Sequence, residues 1–171
     1  MKKPGFTIIF QLLMILQMLL KQFFPFSRFV MVSFLPVMIL CIPIEKGTIF
    51  SMIVAFVTGL AVDFLGDGML GLTSISLVPV ALCRLGIIRL VFGQEVLVRR
   101  ENVSRRKQGI PKMLLASLLS CSIFILVYVL ADAAGTRPFW LNAVKILGSI
   151  LVSTIVSFFV ADLLTSEEKW R

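Results

Sequence analysis

The sequence predicts an all-α protein, a polytopic integral membrane protein of about six transmembrane helices forming one domain over residues 1–171. Three observations carry this. Hydrophobic residues make up 58% of the 171-residue chain, and the mean hydropathy is +1.02, whereas soluble domains hold about 45–50% apolar residues. A small soluble domain keeps much of its surface in water and could not hide that excess. The excess is concentrated in long runs without charge, including 6–20, 49–62 and 113–131. About 20 helical residues cross a hydrocarbon core, where the backbone must satisfy its own hydrogen bonds. Finally, no run shows the alternating polarity of a membrane β-barrel.

Six apolar segments follow in order. The first, 6–20, comes after Met1-Lys2-Lys3 and ends in Lys21-Gln22-Phe23-Phe24 without a small-residue cleavage site, so it reads as a retained span. The second, 29–44, is short and carries Pro36 and Pro43, which predicts a kinked or partly inserted segment. The third and fourth, 47–65 and 69–90, are joined by a glycine-rich turn. A polar loop, 93–111, separates them from the fifth and sixth, 113–131 and 139–164.

Lys and Arg in the connections set the expected orientation. With the N-terminus in the cytoplasm, twelve basic residues fall on the inner side. They are Lys2, Lys3, Lys46, Arg89, Arg99, Arg100, Arg105, Arg106, Lys107, Lys112, Lys169 and Arg171. Only Lys21, Arg28 and Arg137 fall outside, so both termini are expected in the cytoplasm. The net charge of +8 therefore marks a membrane face. Arg99, Arg100, Arg105, Arg106 and Lys107 form a basic cytoplasmic loop that obeys the positive-inside rule and suits anionic head groups or an acidic partner. No nucleic-acid partner is expected, because no folded module or aromatic platform accompanies the charge.

Gly66-Asp67-Gly68-Met69-Leu70-Gly71 matches the letters of a dinucleotide-binding fingerprint. It follows a membrane helix rather than a strand, and the next acidic residue is Glu95, so a tight turn is expected. The chain has no histidine, and Cys41, Cys83 and Cys121 each sit alone in an apolar run. They read as small buried hydrophobes. No nucleophile–base set can be assembled, so no enzyme, cofactor or metal site is expected.

Small residues line two spans. Ser51, Ala55 and Gly59 recur every four residues toward Asp63, and Ser149, Ser153 and Ser157 follow Lys145 at the same spacing. Such stripes allow close helix approach in lipid. They predict that the third span packs on the sixth, with Asp63 facing Lys145. Arg84 and Arg89 are expected to snorkel to the head groups. Gln11 and Gln17 are expected to bond a neighbouring or partner helix.

The stretch from Ala55 to Leu72 resembles the rod shape-determining protein MreD family in its Bacteroidetes-type form. The matching residues are Gly59-Leu60, Asp63 and Gly71-Leu72. Chain size, span number and the basic loop after the fourth span are also similar. The resemblance implies a non-catalytic subunit of the bacterial cell-elongation machinery in the inner membrane. Such a subunit helps to organise lateral peptidoglycan synthesis and maintain cell shape. MreC-like, MreB-like and RodA/penicillin-binding transpeptidase-type partners are implied with it. So is a six-helix fold like the substrate-binding subunits of energy-coupling-factor transporters. A small-molecule-binding subunit of such a transporter is the alternative. Against it, the first two spans lack the alanines at i and i+4 with which that class recruits its coupler; the first alanine is Ala55.

Overall fold

The computed structural model describes residues 4–23, 32–66, 71–95, 109–133 and 139–166, and no strand occurs among them. The helices are α1 (Pro4–Phe23), α2 (Leu35–Leu40), α3 (Gly47–Gly66), α4 (Leu72–Phe92), α5 (Ile110–Ala133) and α6 (Phe139–Ser166). Three hold apolar stretches long enough to cross a membrane: Gly47–Phe64, Leu72–Phe92 and Ile110–Asp132. Shorter apolar segments, Ile8–Leu20 and Ile146–Ala161, lie in α1 and α6. The chain is a polytopic helical membrane protein.

Its surface is that of a protein solvated by acyl chains. Ile8, Ile49, Phe64, Leu90, Leu130, Leu151 and Phe159 are among many large apolar side chains that point outward. The hydroxyls turn inward instead: Ser51, Thr58, Thr73, Ser74, Ser76, Ser117, Ser120, Ser149, Ser153, Thr154 and Ser157 are all buried. Several close on their own helix. Thr58, Ser76, Ser117, Ser120 and Thr154 each donate to the carbonyl four residues back, over 2.6–2.9 Å. A hydroxyl bonded in this way brings no unsatisfied group into the interior. The small side chains let the helices close on one another where lipid removes the usual hydrophobic drive.

Among the described residues of the second apolar segment, only Leu35–Leu40 forms an α-helix. Six helical residues extend about 9 Å, far short of a hydrocarbon core of about 30 Å. All six are buried. Among the described residues α2 lies against α4, α5 and α6, while α3 packs chiefly on α4, α4 also on α5, and α5 on α6. After α2, Pro43 and a 3₁₀ turn, Ile44–Lys46, lead to Gly47, whose φ of 73° lets the chain turn into α3. Lys46 is exposed there, with its ammonium 4.6 Å from the Phe50 ring centroid.

The arrangement corrects two expectations. The stripes of α3 and α6 do not form a joint seam. Gly59 and Ser51 of α3 face α4, as the contacts below show, and α6 is not among the main neighbours of α3 in the described residues. The physical reason is the short link between α3 and α4. It brings these helices together antiparallel and lets α3 use its small face on its sequence neighbour. Arg84 does not snorkel. It is 1% exposed and directed into the protein. It lies eight residues from the end of α4, about 12 Å along the axis, too deep for its side chain to reach a head group easily. Arg89, in the last turn, is exposed.

Candidate functional site

Two polar clusters that join different helices stand out among the buried polar groups. The first joins α3 to α4 and contains the residues Gly59, Leu60, Asp63, Gly71 and Leu72. Near the end of α3, Asp63 is 1% exposed. Its Oδ2 accepts from the backbone N–H of Gly71 at 3.0 Å and of Thr73 at 2.8 Å. Those amides open α4, where a helix leaves its first N–H groups without internal partners. Gly71 occupies the N-cap position and has no side chain to cap with. The carboxylate of the preceding helix therefore supplies the cap, and its charge meets the positive end of the α4 dipole. Gly71 has φ of 100°, in the left-handed region, which glycine enters without steric cost.

One turn below Asp63, Gly59 meets α4 at its closest point. A Cβ added there would lie 2.5 Å from Ser74 Cα and 2.7 Å from Ser74 N. The obstruction is backbone, so no rotamer change relieves it. Ser74 Oγ donates to Phe56 O at 3.1 Å and adds a cross-helix bond at the same level. Leu60 and Leu72 are half-buried beside this contact. Asp67 to Leu70, within the glycine-rich turn, lie outside the described residues.

The second cluster encloses α2. At its N-terminal side, Gln17 of α1 donates through Nε2 to Val32 O at 3.0 Å, and its Oε1 accepts from Phe34 N–H at 3.4 Å. Ser153 of α6 accepts from Ser33 N–H at 3.1 Å. At the C-terminal side, the Arg84 guanidinium forks. Nε donates to Leu40 O at 3.2 Å, Nη2 to Ile42 O, and Nη1 to Ser51 Oγ at 2.8 Å. Ser51 passes the bond on by donating to Gly47 O at 3.1 Å. A guanidinium suits this place because carbonyls at a helix C-terminus carry partial negative charge and its planar donors can serve several at once. Non-helical backbone is tolerated at membrane depth only where protein satisfies it, and here side chains from α1, α4 and α6 do so, with Ser51 of α3 holding Arg84.

The small residues Ser51, Ala55, Gly59, Ser149, Ser153 and Ser157 are all buried. They serve different partners: Ser51 meets Arg84, Gly59 meets Ser74, Ser153 meets Ser33, and Ser157 Oγ lies 3.4 Å from Cys121 Sγ on α5. Cys41 and Cys121 are buried and Cys83 is exposed. The Lys145 side chain lies outside those described, as do Arg99, Arg100, Arg105, Arg106 and Lys107.

Sequence reasoning missed the inward role of Arg84. Its depth in α4 was the available signal. The destination of Gln17 had none, because its partners are backbone groups of the irregular segment before α2. Among the described residues no three His, Cys, Asp or Glu side chains gather to hold a metal. Both clusters bind backbone to side chain within the protein, and their chemistry is that of fastening helices. In comparisons with protein-family models, curated proteins and solved structures, nothing matches this chain.

Proposed function

We propose that this protein is a non-catalytic inner-membrane subunit of the bacterial cell-elongation machinery, of the MreD type, that helps to organise lateral wall synthesis. One observation carries the reading: the residues of the resemblance act as a single device. Gly59 sets the α3–α4 crossing, where any Cβ would meet the Ser74 backbone, and the Asp63 carboxylate caps α4. Buried polar groups fasten helices to one another, which fits a part whose task is to present a fixed membrane surface to other proteins. On this reading the basic 93–111 segment and both termini lie in the cytoplasm, where Arg99, Arg100, Arg105, Arg106 and Lys107 offer a docking surface for acidic partners or anionic lipid.

The test is recovery of the tagged protein from its native membrane in mild detergent. MreC-like, MreB-like or RodA/penicillin-binding transpeptidase-type proteins should co-purify, and depletion should round the cells. Co-purification of ATPase subunits with a transmembrane coupler, and none of the wall-synthesis proteins, would replace this reading with the transporter one.

A further inference from the structure

The two glutamines of α1 lie six residues apart and meet opposite environments. Gln17 is buried, with both ends of its amide bonded to backbone. Gln11 is exposed, and its amide has no hydrogen-bond partner among the described residues. It is the eighth of the twenty residues of α1. That places it about 10 Å from one end of the helix and about 18 Å from the other, well inside a hydrocarbon core of about 30 Å. The surroundings there are acyl chains, which offer an amide neither donor nor acceptor.

No other outward position in the described residues is like it. Away from helix ends, every other exposed side chain is aliphatic or aromatic, or belongs to Cys83 or Gly86. Among the described residues every helix hydroxyl is buried or half-buried, and none is exposed. A lone amide left in lipid is an exception among the described residues. Its neighbours on the face are Ile8, 60% exposed, and Ile15, 54% exposed, at spacings of three and four. That is the repeat with which one helix packs along another. A polar residue within such a seam fixes register and partner number.

An amide carries both donors and an acceptor, so another glutamine answers it fully. Two copies of a membrane protein share one orientation. A two-fold axis along the membrane normal would therefore set α1 parallel to α1, with like residues opposite one another. We propose that α1 is a self-association surface, on which Ile8, Gln11 and Ile15 pack against the same residues of a second copy and the two Gln11 amides bond reciprocally. The inference stands on α1 alone and holds whether or not the chain belongs to the elongation machinery.

Disulfide trapping in native membranes, with the full chain and Cys83→Ser to remove the exposed native thiol, tests the geometry. Ile8→Cys and Ile15→Cys should each give a covalent dimer on mild oxidation. Ile53→Cys, exposed on α3, should remain monomeric. Single-molecule photobleaching in liposomes of phosphatidylethanolamine and phosphatidylglycerol, across a range of protein-to-lipid ratios, tests the chemistry. Gln11→Leu should weaken the dimer about 3- to 30-fold, the effect of interhelical amide bonding in a membrane. Gln11→Asn should retain most of it. At dilutions where both are monomeric, Gln11→Leu exchanges one lipid-facing side chain for another, so its thermal unfolding should match the parent. The proposal is overturned if the protein stays monomeric at every ratio, if Gln11→Leu dimerises as well as the parent, or if the α1 cysteines crosslink only to other proteins.

Discussion

The α3–α4 hairpin and the enclosed helix α2 solve the same problem by different means. Each has helix ends whose backbone groups lack helical partners inside a membrane. In the hairpin, Asp63 reaches amides only eight and ten residues ahead. Around α2, Arg84 reaches back 42 and 44 residues, and Ser153 lies 120 residues from Ser33. The hairpin is a local device that forms as soon as two neighbouring helices meet. The α2 enclosure draws on α1, α4 and α6, with Arg84 of α4 held by Ser51 of α3. Lipid makes both necessary, because an unbonded carbonyl or amide has no water to turn to.

The sharpest way to break the contrast is at Arg84. Arg84→Leu removes the donor from two buried carbonyls, each costing about 1–3 kcal/mol when left unsatisfied. Unfolding in mixed micelles by increasing dodecyl sulfate should show the largest loss of any variant named here. Arg84→Lys should recover only part of it, since an ammonium cannot fork between Leu40 O, Ile42 O and Ser51. A full recovery would mean that charge alone is needed. The next largest effect belongs to the hairpin. Gly59→Ala forces a Cβ onto the Ser74 backbone and should cost about 1–3 kcal/mol. Adding Ser74→Ala should not rescue it, because the obstructing Cα and N remain; rescue would place the clash on the side chain.

Asp63→Ala should cost about 0.5–2 kcal/mol, the worth of a helix cap. Asp63→Asn, which keeps an acceptor oxygen, should cost less. The exchange Asp63→Lys with Lys145→Asp separates the cap from an ion pair with Lys145: a cap alone leaves the double variant no more stable than Asp63→Lys, whereas an ion pair makes the double variant better tolerated than either single change. Smallest is Gly71→Ala, at about 1 kcal/mol for a side chain held at positive φ. It should act in the same assay without altering the α2 enclosure, as judged by unchanged thiol protection of Cys41.

Much of this was legible in the chain. Length and charge-free runs mark the helices, and Pro36 and Pro43 announce a segment unlike the others. Ser51, Ala55 and Gly59 announce a close approach. What the spacing does not say is which helix approaches. A small face is complementary to many surfaces in lipid, and the short α3–α4 link decided the outcome here. Arg84 was misplaced for a related reason. Snorkelling weighs a charge only against water, whereas the exposed carbonyl ends of an interrupted helix are a second destination, visible only once the chain is folded. Gln17 and Ser153 were legible as polar residues in spans, yet their partners are amides of the segment before α2, and no side-chain pattern reports those.

The shortness of α2 bears on how the protein is made. A six-residue apolar helix offers an insertion machinery too little length to be partitioned as a span. The amide of Ser33, two residues before it, bonds a hydroxyl encoded 120 residues later. The bond at Ser33 is therefore completed only after α3, α4 and α5 have been made and α6 arrives, whereas those from Gln17 and Arg84 need only earlier helices.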